Sequence, residues 1–338
     1  MSITGFRSVV PPRWAIVGFI KWGDRVGAIS YRHDLPQTRE VLLADGGLET
    51  TLVFDRGIEL THFAAFPLLD ENVGRAALID YFVSYIEIAR RVGAGIVLET
   101  PTWRANRDWG ALLGYDENAL DTSNRAAVAM LEELRGASPD VTIVISGLVG
   151  PRGDGYQPGQ QMTAVEAEAY HRAQIATFAD TAVDLTTLLT ANYVDEAIGF
   201  ARAGRSVGLP VVVSFTVETD GTLPTGEQLG DAVNAVDEAT DAAPVFYGIN
   251  CAHPDHFVEV LTSGDDWVGR VGLIRANASR MSHAELDEAE ELDSGDPDEL
   301  AAAYVSLRRD HPGIRVIGGC CGTDHRHVGA IADACLRI

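Results

Sequence analysis

The chain has a single lysine, Lys21, and only four cysteines in 338 residues. Arginine therefore carries nearly all of the positive charge, and Lys plus Arg reach 26 against 49 Asp plus Glu, a formal net charge of −23. That deficit excludes the basic surface that nucleic acid demands and argues against adhesion to an anionic membrane. A chain this long needs no disulfide framework, so its four cysteines are not read as one. No apolar run reaches the ~18 residues of a membrane span. The stretch from Trp14 to Ile20 is apolar but short, is cut by Lys21 and lacks a small-residue cleavage site. It does not read as a secretory signal, and the protein is expected to work in the cytoplasm. A glycine fingerprint for dinucleotides is also missing after the first strand, which weakens an open doubly wound sheet relative to a closed one.

What is present is an α/β pattern. From residue 41, short β-rich runs at 41–45, 96–100, 142–147, 183–188, 210–216, 245–251, 271–277 and 315–320 alternate with longer segments of helical spacing. The helical segments are 73–92, 117–135, 163–181, 193–207, 226–241, 254–263, 297–310 and 325–337. Runs such as "TIVISG" and "PVVVSF" are apolar almost continuously, as in strands covered on both faces. Eight strand-then-helix units in one chain of this length imply a (β/α)8 TIM barrel. Residues 1–40 precede the first strand and are expected to form an N-terminal extension, possibly poorly ordered, to a single barrel domain over 41–338. Thr163 with Glu166 forms a capping-box pattern, and Asp324 is placed to cap the last helix. The acidic segment 281–299 reads as an exposed loop with a partial helix and a solvated charged face.

In such a barrel the chemistry sits at the C-terminal ends of the strands. Cys251 ends the sixth predicted strand, and Cys320 and Cys321 end the eighth, in "VIGGCCGT". Cys335 falls inside the last helix and reads as a small buried hydrophobe. Three thiolates on one rim suit Zn2+ with its fourth position open to substrate. The flanking Gly318, Gly319 and Gly322 are expected to let consecutive cysteines reach one ion. A thiol brought to that position loses its proton near neutral pH and becomes a strong nucleophile.

"DGGLETTL" at 45–52, "GINC" at 248–251 and "GGCCGT" at 318–323 together resemble the signature blocks of the homocysteine S-methyltransferase family, collinear over roughly 41–335. The resemblance implies a zinc-dependent methyl transfer from a small onium donor, S-methylmethionine or S-adenosylmethionine, to homocysteine or a related thiol, giving methionine. It also implies that Cys251, Cys320 and Cys321 are the metal ligands, and that Asp45, Gly46 and Gly47 bind the amino and carboxylate groups of homocysteine. Thr102 and Trp103 occupy the family's Thr-x-Thr-aromatic positions; the indole either faces a cationic donor or packs the rim. Asn250 is expected to orient the site. Leu189 and Thr190 stand where the family carries an acidic residue and threonine, so the ammonium is assigned to Asp45 and another acid such as Glu99. Alternatives are a different thiol or selenol acceptor, a zinc hydrolase, or a zinc-binding barrel without turnover. All-thiolate ligation counts against the hydrolase, because it makes bound water a poor acid.

Overall fold

A computed structural model describes residues 30–289 and 291–336. Eight strands, β1 (Leu42–Ala44), β2 (Gly95–Glu99), β3 (Ile143–Val149), β4 (Leu185–Ala191), β5 (Val211–Phe215), β6 (Pro244–Asn250), β7 (Val271–Ala276) and β8 (Val316–Gly319), close in sequential order. Every neighbouring pair is parallel, and β8 returns to β1 through Leu42↔Val316 and Leu43↔Ile317. The expected (β/α)8 barrel is the fold, and the open sheet is excluded.

Period-two alternation explains what fills the barrel. Leu42, Ala44, Val97, Val144, Leu185, Val212, Leu273 and Val316 cluster inside. Their chain neighbours Leu43, Ile96, Ile143, Ile145, Val211, Val213, Ile274 and Ile317 join the larger core between strands and helices. Two residues further along each inward row the chemistry changes to Glu99, Ser146, Thr187, Ser214 and Arg275, all buried. The interior is therefore apolar below and polar towards the C-terminal mouth. That gradient is what permits a site at one end of a packed core.

The predicted helices appear as Asn72–Val92, Glu117–Ala137, Ala164–Ala179, Val194–Ser206, Leu229–Thr240, Pro254–Leu261, Pro297–Asp310 and His325–Leu336. Thr163 and Glu166 form the expected capping box. Asp324 Oδ1 accepts from the Arg326 amide at 2.8 Å at the start of the last helix. Among the described residues, no helix is long and apolar enough to cross a membrane.

Residues 30–40, expected as part of the extension, pack under the barrel. Leu35 joins the interior cluster, the Tyr31 amide donates to Asp184 at 2.6 Å, and the Arg32 guanidinium donates to the carbonyls of Ala179, Thr181 and Val183. Asp184 can be buried there because Arg135 and the Ile145 amide also reach it, each at 2.9 Å. The rest of the expected extension, 1–29, lies outside the described residues.

Candidate metal centre and active site

The mouth is built by strand ends that the sequence places in register. Cys251 follows the last residue of β6, and Cys320 and Cys321 follow the last residue of β8. Their sulfur atoms all lie within 4.8 Å of one another, and the Sγ atoms of Cys251 and Cys320 are in bonding contact across 69 residues of sequence. Cys321 is free; Cys335 sits in the last helix, packed against the outer core and outside the cluster. Tetrahedral zinc–thiolate bonds of about 2.3 Å separate ligand sulfurs by about 3.8 Å, so three reduced cysteines here fit the ion. Closing Cys251 and Cys320 into a disulfide removes two ligands, so the metal-competent state has both as thiols.

The backbone around each cysteine is held. The Cys251 amide donates to the Arg275 carbonyl, and its own carbonyl accepts from Asn277 Nδ2 at 3.0 Å and His283 Nε2 at 2.8 Å. Cys251 adopts a positive φ of 55° and Thr190 one of 68°. Non-glycine residues hold that conformation only where their surroundings impose it. Asn250 supplies the restraint at Thr190: Oδ1 accepts from the Thr190 amide at 3.0 Å and from Ser214 Oγ at 2.6 Å, and Nδ2 donates to Thr190 Oγ1 at 2.8 Å. Thr190 Oγ1 in turn lies 3.8 Å from Cys251 Sγ. Tyr156 Oη lies 3.6 Å from Cys321 Sγ. Burial pushes the Cys321 thiol up, with the Tyr156 contact opposing it.

The glycines act differently from expectation. Only Gly322 has a positive φ, 77°. At Gly319 an added Cβ would lie 2.0 Å from Thr323 Oγ1, and at Gly318 2.7 Å from the Asp45 carbonyl oxygen. Those two are small so that β8 can close against β1 and its own turn. The same holds for Gly46 and Gly47, where a Cβ would meet Tyr85 Oη at 2.6 Å and the Cys320 carbonyl oxygen at 2.6 Å. The Gly47 amide already donates to the Thr323 carbonyl at 3.0 Å, so it is not free for a substrate carboxylate.

Asp45 and Glu99 do come together, but around Arg275. The guanidinium lies 2.5 Å from Asp45 Oδ1 and also contacts Glu99, with all three side chains almost fully buried. Arg275 further donates to the carbonyls of Gly319 (2.9 Å) and Gly46 (2.8 Å). One side chain thus ties β7 to the ends of β1, β2 and β8. Thr102 turns away into the fold: its hydroxyl lies 2.6 Å from that of Thr100 and donates to the Leu148 carbonyl at 2.7 Å. Trp103 lines the cavity and donates from Nε1 to the Leu189 carbonyl at 3.1 Å. β4 runs on through Ala191, so Leu189 and Thr190 are strand residues, at an irregularity in its pairing with β5.

A cavity of about 390 Å³ opens above the sulfurs. Sequence reasoning missed several of its walls. Arg275 had a signal, a lone charge in the apolar run "VGLIRA". Glu49 lies inside the "DGGLETTL" block and lines the cavity; burial, reinforced by Asp45, lifts its carboxyl to about 7. Arg104, beside Trp103, also lines the cavity. The acidic segment corrects the expectation of a purely solvated face. His283–Glu288 is helical, capped by Ser282 and Glu285, and Leu286 and Leu292 line the cavity together with Ala289, Glu291 and Asp293.

The family model described as homocysteine S-methyltransferase matches residues 42–335. A methionine synthase of Mycobacterium leprae (strain TN) is 29% identical over 330 residues, 91% of this chain and 25% of that protein. Homocysteine S-methyltransferase 4 of Zea mays is 26% identical over 208 residues, 59% of this chain and 60% of that one. The chain spans a quarter or less of the length of the mycobacterial methionine synthases it matches. Among solved structures, the metallated form of the homocysteine methyltransferase MmuM from Escherichia coli superposes with a TM-score of 0.67 at 22% identity. That match covers 89% of this chain and 98% of the other. The oxidized form of the same protein gives 0.70 at 22% identity, covering 88% and 97%.

Proposed function

Because the chain belongs to the homocysteine S-methyltransferase family, we propose that it moves a methyl group from a small onium donor, S-methylmethionine or S-adenosylmethionine, to the thiol of homocysteine or a close relative. With homocysteine the product is methionine. The observation that carries this reading is the meeting of Cys251, Cys320 and Cys321 at the mouth, sulfurs within 4.8 Å, beneath a cavity large enough for small substrates. These three cysteines would hold Zn2+. When bound there, the ion supplies Lewis acidity that keeps an incoming thiol deprotonated near neutral pH.

The chain's own residues do the rest. The Arg275 carbonyl, His283 and Asn277 fix the Cys251 backbone, and Thr323 and Ala276 fix that of Cys320, so the ligands need little reorganisation. Leu189, Leu286 and Leu292 shield the mouth from water, and the acidic wall that includes Glu49 and Asp154 favours a cationic donor. In the transfer the acceptor sulfur forms a bond to the donor's methyl carbon. The donor's methyl–sulfur bond breaks, its electron pair stays on a now neutral thioether, and the thiol proton leaves to solvent. No protein base is required.

The test uses reduced full-length protein. About one equivalent of zinc should bind and be lost in Cys320→Ser, and a panel of thiols with either donor should yield a methyl thioether. A zinc-loaded protein that methylates no thiol with either donor would overturn the reading.

A further inference from the structure

The cavity wall carries several acids, Asp45, Glu49, Glu99 and Asp154 among them. Asp45 and Glu99 share Arg275, and Leu189 puts an apolar side chain at the end of β4. The cavity also presents a spare cation. Arg104 is only 9% exposed and lines the same cavity as the sulfurs. Its guanidinium carbon lies 3.6 Å from the Trp109 ring centre and 4.5 Å from that of Trp103. Among the described residues no carboxylate reaches it within ion-pair distance, and its Nε has no hydrogen-bond partner. Asp154 and Glu49 are near enough to favour its charge, yet neither touches it.

A buried guanidinium without a counter-ion is costly, and stacking on indoles offsets only part of that cost. Ring contacts engage the faces of the guanidinium and leave its in-plane N–H fork open, the geometry that accepts a carboxylate through two parallel bonds. Trp103 is itself anchored by its bond to Leu189, so the platform is rigid. We propose that Arg104 holds the carboxylate of the acceptor. This rests on the thiol methyl-transfer reading for its chemistry, but the anion site stands on the Arg104 geometry alone.

The test compares homocysteine with its des-amino analogue 4-mercaptobutyrate, with 3-mercaptopropylamine, which keeps the amine and lacks the carboxylate, and with 1-propanethiol. With zinc-loaded protein, kcat/KM is measured for each of the four thiols. Both carboxylates should exceed the amine and propanethiol by about 10- to 100-fold, the value of a charge-assisted hydrogen bond. Arg104→Gln should erase that advantage through KM while leaving propanethiol unchanged within a few-fold, and Arg104→Lys should restore part of it. No advantage of 4-mercaptobutyrate over 1-propanethiol, or an equal loss for carboxylates and propanethiol in Arg104→Gln, overturns the proposal. A second readout needs no turnover: butyrate titrated into metal-free protein should shift tryptophan fluorescence from Trp103 and Trp109, saturably in the wild type and not in Arg104→Gln. If no thiol is methylated, the enzymatic reading fails, and the butyrate titration still decides the anion site; no saturable response in the wild type sinks it.

Discussion

Replacing Arg275 with methionine tests the idea that the acids of the "DGG" and "ETPT" blocks serve the fold. The substitution keeps much of the side-chain volume but strands Asp45 and Glu99, 2% and 4% exposed, without a cation. Breaking a buried ion pair by removing one partner costs about 3–5 kcal/mol. The Gly319 carbonyl also loses its donor, for about 1 kcal/mol more. The Gly46 carbonyl keeps the Tyr81 hydroxyl at 2.8 Å and loses less. At roughly 2 °C per kcal/mol for a domain this large, the thermal midpoint should fall by about 10 °C. The triple variant Asp45→Asn/Glu99→Gln/Arg275→Met removes the stranded charges and should regain most of the loss, leaving about 1 kcal/mol. Scanning calorimetry with chelator and reductant, at equal protein concentration, removes metal binding from the comparison. A midpoint within 3 °C of wild type for Arg275→Met, or a triple variant no better than the single, would refute the reasoning. Either result would return Asp45 and Glu99 to the pool of groups able to hold an ammonium.

Asn250→Ala should leave the barrel folded but free Thr190 and the end of β4, lowering zinc affinity about 10- to 100-fold in competition with a chromophoric chelator. Cys335→Ser should leave zinc stoichiometry unchanged, because that thiol lies outside the cluster; loss of the metal in this variant would contradict the ligand assignment. Glu49, lifted to about 7 by burial and the charge of Asp45 against the opposing pull of Arg275 and Arg104, gains its negative charge as pH rises through that value. The KM for a cationic donor should therefore fall across about pH 6–8, and Glu49→Gln should flatten the profile; an unchanged profile in that variant assigns the titration to another group.

Most of the scaffold was legible because its signals are local. Short, nearly continuous apolar β-rich runs set between segments of helical spacing place all eight strands within about three residues of where they lie. Capping at Thr163 needs only three neighbouring positions to read. The errors concern residues whose roles depend on distant partners. Gly46 and Gly47 line the cavity as expected, yet the Gly47 amide is already given to the Thr323 carbonyl in the turn after β8. Thr102 matched a motif, yet faces the Leu148 carbonyl. The segment 281–299 read as solvated because its charges outnumber its leucines, while Leu286 and Leu292 reach the cavity together with Ala289, Glu291 and Asp293.

By itself the sequence determined the eightfold βα alternation and set three cysteines at strand ends, since both follow from residue type and spacing along the chain. Only the tertiary structure decided which charges are spent and which are spare. Arg275 is shared by Asp45 and Glu99 while Arg104 is left against two indoles with no counter-ion among the described residues. Ion pairing inside a closed barrel is set by which side chains share the interior at one height, a through-space relation that sequence separation does not encode.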